Sequence, residues 1–207
     1  DYEQEFCIIF FLWAVTIIGM KTQHTLRQRA LLERTLVKLQ DGMSILPEDS
    51  RNYARPVQAL APKEKEFLLP RALLAGLHRF QSTQNIHAVS SIIKDTCETE
   101  ADRMETELSI VRYIAWAIPS IGFLGTVRGI GTALGQAYQA VAGDIAGVTQ
   151  SLGVAFNSTF VALVVSIFLM FLLHQLQLQQ DRLVLDCQNY CDERLIRHMQ
   201  VPEKANS

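Results

Sequence analysis

Residues 148–173 contain no charged side chain. The run is longer than the ~20 apolar residues that carry an α-helix across a bilayer, and a helix apolar on every side has no place on a water-facing surface. It therefore predicts a transmembrane helix. Two more apolar runs, 6–20 and 113–142, predict two more spans, the second interrupted only by Arg128. Bulk composition hides this pattern. With 49% hydrophobic residues and a net charge of −2, the chain could pass for one soluble domain, but its apolar residues are clustered. The first run is short for a full span and the chain begins at Asp1 without an initiator methionine, so an upstream piece is expected. An acidic flank and the lack of a small-residue cleavage site argue against a signal peptide.

Basic residues set the expected orientation. Lys21, Arg27, Arg29, Arg34 and Lys38 follow the first run, Arg103 and Arg112 precede the second, and Arg182, Arg194 and Arg197 follow the third. Residues 1–5 are acidic, and the turn between the last two spans carries only Asp144. Cytoplasmic flanks are enriched in Lys and Arg, so the N-terminus and the turn are expected outside. The predicted fold is an all-α membrane protein: a first span over 1–20, a cytoplasmic helical domain over 21–108, a second span over 109–142, an outer turn over 143–147, a third span over 148–176, and a cytoplasmic C-terminal helix and tail over 177–207. The helical period continues the first span through 25–39 until Asp41-Gly42 and the Pro47 turn break it. Three prolines make 56–70 turn-rich. Helices are expected over 71–80 and from 86 towards 110, with Tyr113 and Trp116 as interfacial aromatics and a kink at Pro119. The third span is expected to run on as an amphipathic helix to Ile196, and 201–207 read as a disordered tail.

Chemistry-bearing clusters are few. Cys7, Cys97, Cys187 and Cys191 are dispersed. Cys187 and Cys191 share a helix face, but with no second ligand pair they read as free thiols and not as a zinc site. Glu98, Glu100, Asp102, Glu105 and Glu107 read as a solvated helix face. His78, His87 and His174 are scattered, and no phosphate-binding loop, metalloprotease motif or nucleophile elbow occurs. Neither an enzyme nor a nucleic-acid partner is expected, and no cofactor.

The second span holds Pro119, Gly122, Gly125, Gly129 and Gly131. Interior glycine costs a soluble helix ~1 kcal/mol, whereas in a membrane small residues let helices approach closely. With the outer turn near Ala142-Gly143, Thr126 and Thr159 fall at matching depth. At 100° per residue, Pro119, Gly122, Gly129, Ala133 and Ala137 share the Thr126 face; Leu152, Ala155, Ala162 and Ser166 share that of Thr159. On spacing alone, helix packing is the simpler reading of these stripes; a pore lining is the alternative. Arg128 and Asn157 lie at equal depth roughly opposite the threonines. A charge in the bilayer interior is costly, so Arg128 is expected to bond Asn157 or backbone carbonyls at a helix or subunit boundary, or else to snorkel to an interface. The membrane parts of the last two spans contain no Asp, Glu, Lys or His. A proton relay needs a titratable group, so any ion crossing here requires a partner's carboxylate.

The run IPSIGFLGTVRGI from Ile118 resembles the aPxxGLLGTVxGI signature in the second span of ExbB and TolQ. The run GVAFNSTFVAL from Gly153 is similar to their third-span stretch of small residues around a threonine. Over residues 109–176 the chain is identified as a member of the MotA/TolQ/ExbB proton-channel family, closest to its three-span type. The resemblance implies a homopentamer in the bacterial inner membrane around two copies of a single-span ExbD/TolR/MotB-like partner, whose membrane aspartate carries H⁺ or Na⁺ and drives rotation. By motif position it implies that Thr126 and Thr159, with Ser166, line the ion path. Two departures mark a divergent branch: Val154 stands where the family's glutamate usually lies, and Arg128 where an apolar residue is common. A non-conducting scaffold or signalling subunit of the same fold is the competing expectation.

Overall fold

The computed structural model describes residues 2–34, 36 and 44–201. Among them the backbone is almost wholly helical, and the pairing outside helices is one isolated parallel bridge, Ile45 with Met199. The α-helices are α1 (Tyr2–Leu32), α2 (Ser50–Gln58), α3 (Pro62–Lys65), α4 (Leu68–Thr83), α5 (Ile86–Glu107), α6 (Ser109–Gly135), α7 (Ala137–Val141) and α8 (Ala146–Arg194). Short 3-10 turns occupy Pro47–Asp49 and Ile196–His198. Among the described residues, three helical stretches are long and apolar enough to cross a membrane: Tyr2–Leu32, Ile86–Gly135 and Ala146–His198. The expected all-α fold with three such helices is present. The expected break at Asp41-Gly42 and the tail beyond Val201 lie outside the described residues.

The chain divides into two compact units: Asp1–Lys21 with Glu107–Gln177, and Thr22–Thr106 with Leu178–Ser207. In the first, Cys7, Ala14 and Ile18 of α1 pack with Val111, Ile114, Ala115 and Ile118 of α6 and Ala162, Leu169, Leu173 and Leu176 of α8. These positions recur at three- and four-residue spacing, so each helix offers one stripe to its neighbours. Its other faces are also apolar and are exposed: Phe6, Ile9, Leu12 and Trp13 on α1, Phe123 and Leu124 on α6, Phe156, Phe160, Ile167 and Phe168 on α8. A helix apolar all round fits a bilayer.

In the second unit, Phe80, Leu73 and Leu77 of α4, Val89, Ile93 and Cys97 of α5, and Cys187, Cys191 and Leu195 form a buried core. Local chemistry sets its helix ends. Gln84 turns left-handed (φ 50°) and stops α4. Asn85 then caps α5, its Oδ1 accepting the amides of His87 at 2.9 Å and Ala88 at 3.3 Å, as an N-cap side chain does. At the start of α4, Gln28 Oε1 accepts the otherwise orphaned amide of Leu68 at 3.1 Å.

Several boundaries differ from those read in the sequence. The helix expected over 25–39 ends at Leu32, because the Leu36 amide donates to Tyr190 Oη at 3.1 Å and not to a helical carbonyl. Residues 56–70 are mostly helical: Pro62 opens α3 and Pro70 falls in the first turn of α4, where a missing N–H costs no helical bond. The second span does not run intact to 142. Helix α6 stops at Gly135, Gln136 tightens on to the Ala133 carbonyl at 3.1 Å, and α7 is a separate short turn. The acidic face of α5 is not wholly solvated either. Glu100 is buried and accepts from Arg71 Nη1 at 2.7 Å, with Arg103 at 3.6 Å. The sequence pattern gave Glu100 no partner because Arg71 lies on a different helix.

Candidate functional site

Helices α6 and α8 form the antiparallel hairpin anticipated for the last two spans. Gly143 (φ 100°) makes the turn, and Asp144 Oδ1 accepts the Ala146 amide at 3.1 Å where α8 starts. Small residues then decide how closely the helices pack. A Cβ on Gly122 would collide with the Ala162 methyl, and one on Gly129 would lie 2.5 Å from Ala155 Cβ. Neither contact survives a larger residue, so the two glycines set the closeness of α6 and α8. Ala133, Ala155 and Ala162 are buried in the same seam, with Pro119 half-buried at its other end.

This approach brings the two threonine hydroxyls together. Thr126 Oγ1 hydrogen-bonds Thr159 Oγ1. Thr159 Oγ1 also donates to the Gly122 carbonyl at 2.8 Å, and Thr126 Oγ1 reaches the Ala155 carbonyl at 3.2 Å and that of Gly122 at 3.4 Å. Each hydroxyl has one proton. With Thr159 donating to Gly122 and Thr126 donating to Thr159 or Ala155, both protons point into the hairpin. The lone pairs that remain make the half-buried pair an acceptor surface, suited to a cation or a proton donor and not to an anion. The same contacts also serve packing, so one geometry is compatible with both readings of the stripes.

Ser166 has a more specific place. Pro119 lacks the N–H that would bond the carbonyl four residues earlier, that of Ala115. Ser166 Oγ donates to this carbonyl at 3.1 Å across the seam and is itself buried. Helix α6 continues through Pro119, and α8 supplies the hydrogen bond that proline removes. Pro119 and Ser166 both stand on the small-residue stripes, but that they are partners is visible only with the two helices in register.

Arg128 and Asn157 are not brought together. Asn157 is exposed on α8, while Arg128 Nη2 donates to Glu3 Oε2 of α1 at 2.7 Å. A guanidinium reaches a carboxylate in preference to an amide because the charge-assisted bond is the stronger. Glu3 lies close against α6: a Cβ on Gly125 would come within 3.5 Å of its Cγ and 3.1 Å of Ser158 Cβ. Further along, Cys7 Sγ donates to the Ile118 carbonyl at 3.7 Å, and Lys21 pairs with Glu107. Helices α1 and α6 therefore run antiparallel, with the Glu3–Arg128 ion pair towards one end and Lys21 paired with the last residue of α5 towards the other. From Glu3 to Lys21 the rise is about 27 Å, comparable to the ~30 Å hydrocarbon core. A recess of about 320 Å³ beside Arg128 is lined by Gly125, Gly129, Thr132, Gln150, Ser151 and Val154. Glu3 was the residue missed from sequence, where its acidity counted only as a marker of sidedness.

Three free thiols of the other unit, Cys97, Cys187 and Cys191, are all buried in its core. The hydrogen bond to Cys187, then burial, push the Cys97 thiol far above its ordinary range. Cys187 is pushed up by its bond to Cys191 and by burial, against a lowering contribution from Cys97. Among the described residues, no group of three or more His, Cys, Asp and Glu side chains could hold a metal ion.

The chain finds no match among curated proteins. Its family is nevertheless clear. The family model described as the MotA/TolQ/ExbB proton channel family matches residues 64–189, more than half of the chain, with all of α6 and α8 as far as residue 189. With three helices able to cross a membrane, a small-residue seam and a paired threonine site, this is a multi-pass membrane protein that belongs to the MotA/TolQ/ExbB proton channel family.

Proposed function

We propose that the chain is the channel-forming stator subunit of a motor driven by a proton or sodium gradient. In this reading five copies in a bacterial inner membrane, N-termini outside, surround two copies of a single-span ExbD/TolR/MotB-like partner. The partner's membrane aspartate carries the ion, and its passage turns one component against the other. The observation that carries the reading is the Thr126–Thr159 hydroxyl pair, held in the hairpin with Thr159 Oγ1 donating to the Gly122 carbonyl. Residues 113–142 and 148–173 supply no carboxylate, so an approaching aspartate or its ion would meet only hydroxyl and carbonyl oxygens. Hydroxyl oxygens can enter a hydronium relay or a sodium shell, and the role is transport and not covalent chemistry.

The test is partner-dependent cation flux in vesicles containing the purified complex. Thr126→Val with Thr159→Val keeps the shape of both side chains and removes both hydroxyls. Flux is expected to fall at least tenfold while the assembly persists. Unchanged flux would sink the reading. A second reading, a non-conducting scaffold of the same fold, is favoured by one observation: both hydroxyls already serve the seam between α6 and α8. It predicts that the Val pair alters hairpin stability and leaves the output of the complex intact.

A further inference from the structure

The first helix brings a carboxylate to a cation that stands beside the threonine pair. Arg128 is two residues from Thr126, and at 100° per residue their side chains leave nearly opposite faces of α6. A helix with its side chains is about 10–12 Å across, so the guanidinium lies roughly that far from the hydroxyl pair. An uncompensated guanidinium there would repel every cation that reached the threonines. Glu3 removes that field at its source. Its side chain is only 16% exposed, against 53% for Arg128, and its Oε2 accepts from Nη2 at 2.7 Å. It is also packed against α6, its Cγ and Cβ lying 3.5 and 3.6 Å from where a Cβ on Gly125 would stand. A glutamate turned to solvent merely to mark the outer flank would need none of this.

We propose that Glu3 is a positioning residue for ion passage: its carboxylate cancels the charge of Arg128 and so keeps the Thr126–Thr159 pair accessible to cations. The proposal rests on the conducting reading given above. It differs from a plain structural clamp in what it predicts. A clamp holds α1 to α6, so its loss lowers the amount of assembled complex. A charge-cancelling group sets how readily a cation occupies the site, so its loss raises the cation concentration needed for half-maximal flux.

The experiment compares wild type, Glu3→Gln and the double variant Glu3→Gln/Arg128→Gln in the full complex with its partner. Flux is measured against cation concentration on the entry side and normalised to assembled complex by size-exclusion chromatography. In Glu3→Gln the half-saturating concentration is expected to rise about tenfold. Tenfold corresponds to about 1.4 kcal/mol, the size of one unit-charge interaction over roughly 12 Å at an effective dielectric constant of about 20. In the double variant, which leaves no unpaired charge, it should return to within about twofold of wild type. Should Glu3→Gln fail to assemble, the double variant is compared with Arg128→Lys/Glu3→Gln, which restores one uncompensated cation on a smaller head group and should again shift half-saturation upward. Unchanged half-saturation with less assembled complex would overturn the proposal in favour of a clamp, and so would a double variant no better than Glu3→Gln. The valine pair at Thr126 and Thr159 separates the two levels. If it abolishes flux while Glu3→Gln leaves half-saturation unmoved, the charge proposal fails and the conducting reading stands; if wild type passes no cations, both fall.

Discussion

In one unit the residues that meet are Phe80, Leu73, Leu77, Ile93 and Leu195; in the seam of the other they are Gly122, Gly129, Ala155 and Ala162. The contrast follows from the solvent each unit is built for. In water, association is driven by removing apolar area, at ~25 cal/mol per Å², so large side chains belong inside. In lipid there is no such gain, because the surroundings are as apolar as leucine. Close backbone approach and hydrogen bonds between helices take over. Accordingly the residues that meet at the seam are small, while Phe123, Leu124, Phe156, Phe160 and Phe168 of the same helices are exposed; large residues such as Ile118, Leu169 and Leu173 are buried only where α1 joins the pair. Polar groups follow the same division. The buried Glu100 of the first unit considered is matched by the full charge of Arg71, whereas the hydroxyls of Thr159 and Ser166 bond backbone carbonyls.

Opposite substitutions should therefore harm the two units. Phe80→Ala empties a fully buried site and is expected to cost ~3–5 kcal/mol, while Gly122→Val overfills the seam and is expected to cost ~1–3 kcal/mol. Thermal unfolding in detergent, followed by proteolysis of each unit, would measure both. The comparison breaks if Gly122→Val is neutral, since the seam would then not depend on small residues.

The next effect concerns the buried thiols Cys97, Cys187 and Cys191, which have no counterpart in the seam. The folded thiols of Cys97 and Cys187 are pushed above the ordinary value of 9.0. Below pH 9 both states hold their protons and nothing is lost. Above it the unfolded thiols ionise while the folded ones do not, so stability falls as pH rises, by up to about 1.4 kcal/mol per thiol for each unit. Alkylation should stay slow at pH 8 and accelerate only with unfolding of this unit. Rapid modification of Cys97 in the folded protein at pH 8 would contradict the geometry.

How much of this was legible in the sequence depended on how local the cause was. Long apolar runs and the small-residue stripes are written in spacing, and the threonines could be paired by depth because one turn joins their helices. Long-range charge pairing was not legible. Glu3 and Arg128 are 125 positions apart, and nothing in the pattern around either distinguishes a partner from a flank. Depth offers Arg128 only Asn157, backbone carbonyls or an interface to snorkel to, whereas the stronger acceptor comes from another helix. Helix α1 ends at Leu32 and not near Leu39 for a similar reason: Tyr190, far along the chain, takes the Leu36 amide.

The smallest expected effect tests the hydrogen bond that proline made necessary. If Ser166 is in the seam because Pro119 orphans the Ala115 carbonyl, the two residues are coupled, and their coupling has a definite sign. Ser166→Ala alone leaves a buried carbonyl without its donor and should cost about 1 kcal/mol. In a Pro119→Ala background residue 119 recovers its N–H, and the Ala115 carbonyl gains a helical donor beside Ser166. There the same Ser166→Ala change should cost only a few tenths of a kcal/mol, because the carbonyl keeps its helical donor. A double-mutant cycle on hairpin stability isolates this difference, since it subtracts whatever each substitution does independently. Equal costs in the two backgrounds would mean that Ser166 serves the seam as a small side chain only, and that the Ala115 carbonyl is satisfied in another way.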